Sequence, residues 1–310
     1  MTFGVLVALL AVGLNGALGD VVSQPVGYAA NFLTTSLFLP EASMSVNLTE
    51  ELCRERYRIS SNVYTADGQY AEDVLTLGGQ EFDGFVRFCD LQTDRSQAQS
   101  TSDDPVNWFM KLPIDGFFGL KPGGENAFQR MLPKGRQLTV WIDQKSTEPD
   151  NAGVITFGGK DESHCKTYKT FPSEDSDRFS AWISKATFNS NTYKNTYSGV
   201  FSLQNGTLLV PYEIYSDVYS YFGGQLTYFY CSNYQNPPDL KVTIYGKEYT
   251  ISLKSLISPY SSSSSSYCSI DLSYSDTDAE DQFVLNRAIL NNYCLYLDYD
   301  NSIVGLAERK

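Results

Sequence analysis

Apolar runs rich in Val, Ile, Thr and Tyr alternate along this chain with short polar turns, and long stripes of 3.6-residue period are scarce. That pattern predicts a mainly β protein, because β-branched and aromatic side chains suit a pleated, half-buried surface. The stretch GVFSLQNGTLLVP (199–211) shows the design in miniature: an apolar strand, a Gly-Thr turn, and a second apolar run stopped by Pro211. Gly-Gly pairs at 78–79, 123–124, 158–159 and 223–224 read as isolated turn signals rather than as a phosphate-binding loop. The tyrosine-rich segment 212–231 predicts a short helix and a strand whose rings are buried, with an aromatic ligand platform as the alternative. The segment 258–269, with serines at every position from Ser261 to Ser266, predicts an exposed loop tethered at Cys268 and open to O-glycosylation.

The first nineteen residues are apolar and end in Ala17-Leu18-Gly19, which predicts a secretory signal peptide cleaved before Asp20. A membrane anchor is the competing reading, but the run is short for a bilayer span. The remaining chain of about 290 residues is long enough for two domains. The charged stretch SEDSDRFSAW (173–182) is the expected boundary, giving units 20–172 and 173–310.

Charge narrows the function. A formal net charge of −13 gives no basic face for nucleic acid. Six cysteines in an exported chain predict three disulfides, and spacing alone leaves fifteen connectivities open. There is no Cys-X-X-Cys, and one histidine, His164, cannot supply a zinc site or stand as a general base without partners. Lying in the charged turn GGKDESHCK, His164 reads as a surface residue. No cofactor or metal is expected.

Several segments, in order, resemble the pepsin-like aspartic proteases. YTADGQYAEDVLTLGG (64–79) is similar to the flap hairpin, with Tyr64 able to cover a ligand and Gly68 expected to turn its tip. IDGFFGLKP (114–122) matches the Asp-Gly-apolar-apolar-Gly-Leu element. LTVWIDQKSTEPDNAGVITFGGKDESHC (138–165) is close to the interlobe strand pair. PPDLKVTIYGKEYTISLKSLI (237–257) and YLDYDNSIVGLAERK (296–310) resemble two hairpins of the C-terminal lobe. The resemblance runs from about residue 30 to the end and is to a pepsin or cathepsin D type, nematode-like member. It implies an all-β, bilobal acid-protease fold with a central cleft, a shortened N-terminal lobe (20–172) and a C-terminal lobe (173–310). It further implies disulfides Cys231–Cys268 and Cys165–Cys294, leaving Cys53–Cys89 to join the N-terminal strands.

The chemistry of that family needs two carboxylates sharing a proton, one from an Asp-Thr-Gly loop in each lobe, because like charges so close cannot both ionise. Aligning Gly206-Thr207 with the family's Gly-Thr places Gln204 at the C-terminal aspartate and Asn205 after it. NFLTTSLFLPEA (31–42), counted back from Pro40, places Asn31 at the N-terminal aspartate, Phe32 at the threonine and Leu33 at the glycine. Between Asp20 and Glu50 the sole intervening acid is Glu41. Asn286 stands where an apolar-apolar-Gly motif would carry its glycine, and the eleven residues from Asp20 to Asn31 leave no room for an inhibitory propeptide. Sequons begin at Asn47 and Asn205, and a glycan on Asn205 would obstruct a cleft.

Amides do not ionise, so the expectation is a secreted or luminal (secretory or lysosomal) pepsin-family homologue without catalysis. It would be a monomer holding a peptide or protein ligand in the cleft, with no nucleic-acid or membrane partner. A functional aspartic endopeptidase working at acidic pH is the first alternative, and a structural or storage protein the second.

Overall fold

The computed structural model describes the backbone of 22–28, 37–38, 42–43, 48–59, 62–77 and 80–90, and residues 122, 135–143, 153–202, 207–261, 264–274, 282–285 and 287–310, almost all of the second group with side chains. The chain forms two compact units, one of Met1–Asn15, Leu39–Leu120 and Gly124–Lys134, the other of Gly16–Phe38, Lys121–Gly123 and Gly135–Lys310. The division at 172/173 does not coincide with these units. Strands on both sides of it belong to one unit, because the strand ending at Pro172 is hydrogen-bonded to the last strand of the chain.

The described residues are mostly strand, as the apolar pattern predicts. Strands β1 (Val22–Tyr28), β2 (Leu37–Phe38), β3 (Ala42–Ser43), β4 (Leu48–Ile59), β5 (Asn62–Leu77) and β6 (Gln80–Asp90) come first. They are followed by β7 (Gln137–Ile142), β8 (Gly153–Phe157), β9 (Lys169–Pro172), β10 (Ser180–Phe188), β11 (Asn191–Tyr193), β12 (Tyr197–Phe201) and β13 (Leu208–Val210). After helix α1 (Tyr212–Tyr221) come β14 (Phe229–Tyr230), β15 (Leu240–Ile244), β16 (Lys247–Ile251), β17 (Ile257–Ser261), β18 (Ser264–Ile270), β19 (Leu272–Tyr274) and β20 (Gln282–Leu285). A single helical turn, α2 (Arg287–Leu290), precedes β21 (Tyr293–Asp298) and β22 (Ile303–Glu308).

In the first unit β5 is central, with β4 on one side and β3 and β6 along the other pairings. In the second, one sheet runs β2-β1-β8-β7-β21-β22-β9, and a second runs β16-β15-β10-β12-β20-β13-β19 with β11 added to β10. The first is sealed by Leu138, Val140, Val304 and Leu306, and the second by Ile183, Leu208, Val242 and Phe283, all fully buried. Each such side chain stabilises by roughly 1.5–3 kcal/mol. The disulfides Cys165–Cys294 and Cys231–Cys268 are both formed, as the resemblance implies. Cys53 and Cys89 lie on β4 and β6, and their side chains fall outside the described residues.

The serine run departs from expectation. Residues 257–261 and 264–270 form a hairpin, with Ile257 opposite Ile270 and Ser261 opposite Ser264. Serine does not pack, but a ladder needs only backbone groups. Here buried Ile270 and the Cys268 disulfide anchor the strand to the body.

Candidate functional site

The sequence points to the connection between β12 and β13, and the structure shows how that connection is held. β12 carries Tyr197, Gly199 and Phe201 inward, and β13 carries Leu208 and Val210 inward. β20 lies between them, parallel to β12 (Phe201 beside Leu285) and antiparallel to β13 (Leu209 beside Val284). The two ends of the connection are pinned by backbone: Ser202 N donates to Leu285 O at 2.9 Å, and Leu208 N donates to Asp271 O at 3.0 Å. Two neighbouring strands have thus been spread so that a third, from some eighty residues downstream, fits between them. The two ends of the connection are thus fixed by backbone on either side of positions 203–206.

Gln204, Asn205 and Gly206 themselves lie outside the described residues, as do Asn31, Phe32, Leu33, Asn47 and Asn286. Asp271 adjoins the frame. Its backbone closes the β13 end, and burial pushes its carboxyl above the usual carboxylate range.

Of the flap-like hairpin the backbone is described. Tyr64 lies on β5 directly opposite Tyr57 on β4. Gly68 is not at the tip: it sits inside β5 opposite Cys53, and the strands are joined through residues 60 and 61. The Asp67-Gly68 pair reads locally as a turn, but the unbroken ladder from Ile59–Asn62 to Leu52–Gln69 overrides it.

His164 serves the structure. Its Nδ1 lies 2.6 Å from Asp161 Oδ2, while Asp161 Oδ1 accepts from the backbone N–H groups of Ser163 and His164 at 2.9 and 3.0 Å. The ring stacks on Trp141 with centroids 4.1 Å apart, and the Arg309 guanidinium lies 5.5 Å from the same indole. The adjacent Cys165 is consumed by its disulfide. The imidazole is one-third exposed and held by its own turn, more fixed than a surface residue would be.

The tyrosines of 212–231 are divided between burial and exposure. α1 buries Ile214 and Val218, while Tyr212 and Tyr219 remain 60% and 41% exposed. On its other side the helix is tied to the sheet by phenols: Tyr193 donates to Asp217, and Tyr197 donates to Glu213.

This strand-between-strands mount, in a chain carrying the ordered flap, Asp-Gly and hairpin segments, defines the class of acid-protease folds. The profile of the eukaryotic aspartyl protease family matches residues 55–309, and the chain belongs to that family. Over 287 residues, 88% of its length, it is 22% identical to the protein named "Probable aspartic-type endopeptidase CTSD" of Arthroderma otae, covering 71% of that relative. It is similarly 22% identical to the protein of the same name from Trichophyton verrucosum, of which it spans 53%. It is 26% identical over 275 residues to the "Acid protease" of Saccharomycopsis fibuligera, of which it spans 65%.

Proposed function

We propose that this chain is a non-catalytic member of the family that holds a peptide or protein in the groove of the family fold. One observation carries the reading: no Asp-Thr-Gly or Asp-Ser-Gly occurs anywhere in 310 residues, and the positions that correspond hold Asn31 and Gln204. An amide cannot take a proton from water, so neither position supplies the shared-proton pair on which this hydrolysis depends. The mount around 203–206 supports retention of the scaffold. A groove of this kind binds extended chain by main-chain hydrogen bonds and needs no aspartate to do so. Tyr64, near the end of the β4–β5 hairpin, is the residue assigned to cover the ligand. The disulfides Cys165–Cys294 and Cys231–Cys268 support an exported or luminal protein.

Purified protein is expected to leave denatured haemoglobin and casein intact between pH 2 and 6. Pepstatin-sensitive cleavage above a mock purification overturns the proposal. It would favour the second reading, an acidic endopeptidase, which draws support from the protease names of the three relatives. For the groove, a peptide library is compared on wild type and Tyr64→Ala. Binding that Tyr64→Ala weakens is expected, and equal, undetectable binding by both removes the groove.

A further inference from the structure

Away from the β12–β13 frame, the outer face of the β14-β18-β17 sheet is unusual in having no charge. Residues 225–238 and 255–270, which build it, contain no Asp, Glu, Lys, Arg or His, in a chain where 19% of residues are charged. The adjacent cation Lys254 is engaged by Asn236 Oδ1 at 3.1 Å.

On this face the pairing makes an aromatic ladder. Tyr230 stands opposite Tyr267, and Tyr228, two residues before it, shares the face. The Tyr228 and Tyr267 rings stack at 4.2 Å and 12°, Tyr267 and Tyr230 meet tilted by 34° at 4.6 Å, and Tyr260 meets Tyr228 edge-on at 5.0 Å. Tyr267 Oη donates to Tyr230 Oη at 2.7 Å. Despite these contacts Tyr228, Tyr230 and Tyr260 remain 44%, 53% and 55% exposed. A contiguous group of such rings is ordinarily buried or matched by a partner, because each offers a large apolar area.

Tyr230 also walls an open cavity of about 480 Å³, whose other walls are Cys231, Ser232, Gln235 and Ser266. That volume falls within the range of small-molecule sites, roughly 300–1,000 Å³. The lining joins a ring face to neutral hydroxyl and amide groups that both donate and accept. A pyranose presents the complementary chemistry: an apolar C–H face edged by hydroxyls, without charge. A charged peptide or a charged lipid headgroup would find no counter-ion here, while the rest of this −13 chain repels polyanions.

We propose that this cavity is a subsite for neutral oligosaccharide, with a sugar ring stacked on Tyr230 and its hydroxyls bonded to Ser232, Gln235 and Ser266. The Cys231–Cys268 disulfide fixes β14 against β18 and so holds the platform in place before ligand arrives. The site does not involve Asn31 or Gln204, and its test is independent of proteolysis or of peptide binding.

The test is calorimetric titration of the full chain with cellohexaose, xylohexaose, chitohexaose and mannohexaose, with hexagalacturonate as the charged control. Saturable binding of at least one neutral hexamer is expected, weakened on the order of tenfold by Tyr230→Ala, which corresponds to about 1.4 kcal/mol. Gln235→Glu, an exposed change that spares the fold, is expected to weaken binding similarly, and Tyr230→Trp to preserve it. Absence of binding to all four, or binding that Tyr230→Ala and Gln235→Glu leave unchanged, overturns the proposal. Preference for hexagalacturonate does the same. Concentration-dependent self-association abolished by Tyr230→Ala, without sugar binding, assigns the face to protein contact instead and also overturns it.

Discussion

Gly199 shows how little room a single residue can leave. A Cβ placed there would lie 2.7 Å from Ile183 Cδ1 and 3.2 Å from Ala181 O, in the middle of β12 and against a fully buried side chain. Gly199→Ala is expected to cost about 1–3 kcal/mol by overpacking, read as a lower urea midpoint at unchanged slope. Asp271 acts through its proton. Its folded-state pKa is raised by burial, so the native protein binds a proton more readily than the unfolded chain. The sign follows: stability is greatest below the unfolded carboxylate range and declines as pH rises through the folded value. Asp271→Asn is therefore expected to raise the melting temperature at pH 7 and to have little effect at pH 3. Glu308 slopes the other way, since Lys166 lowers its pKa and its contribution fades on acidification.

At the scale of elements, turns and staples decide the outcome. The β21–β22 turn is organised by Asp298, whose carboxylate accepts from the backbone N–H groups of Asp300 and Asn301 at 3.1 and 3.0 Å, and from Tyr296 Oη and Gln137 Nε2. Asp298→Ala strands the buried Tyr296 hydroxyl and several half-buried donors at once, and is expected to cost about 1–3 kcal/mol in chemical denaturation. Of the two disulfides among the described residues, Cys165–Cys294 spans 129 residues and Cys231–Cys268 spans 37. On the chain-entropy account, replacing the first pair with alanines is expected to destabilise by about 5 kcal/mol and the second by about 4. Hairpins such as β15–β16 were legible because apolar alternation meets at Tyr245-Gly246, both at positive φ. The β12–β13 frame was legible as two apolar runs around a turn, yet nothing local announces that β20 enters between them. That pairing is written only in the apolar character of Phe283 and Leu285. Gly68 and the serine hairpin misled for the same reason: short-range turn and loop chemistry was outweighed by strand pairing formed over longer distances.

For the molecule as a whole, the charge of −13 at pH 7 vanishes only as the carboxylates titrate. Solubility is expected to pass through a minimum at about pH 4–5 and to recover on either side, measurable by turbidity against pH. An acidic vesicle would therefore hold this protein near its least repulsive state. The placement of β20 between β12 and β13, and of β21 between β7 and β22, carries a further consequence for synthesis on the ribosome. The two large sheets of this unit wait for strands made long after the ones they pair with, so their contacts are of long sequence separation and slow to close. A nascent chain halted before residue 282 would present β12, β13 and β7 as unpaired edges, with Cys165 still a thiol. Until residues 282–308 emerge, this protein is a client for whatever machinery shields exposed strands in the compartment where it is made.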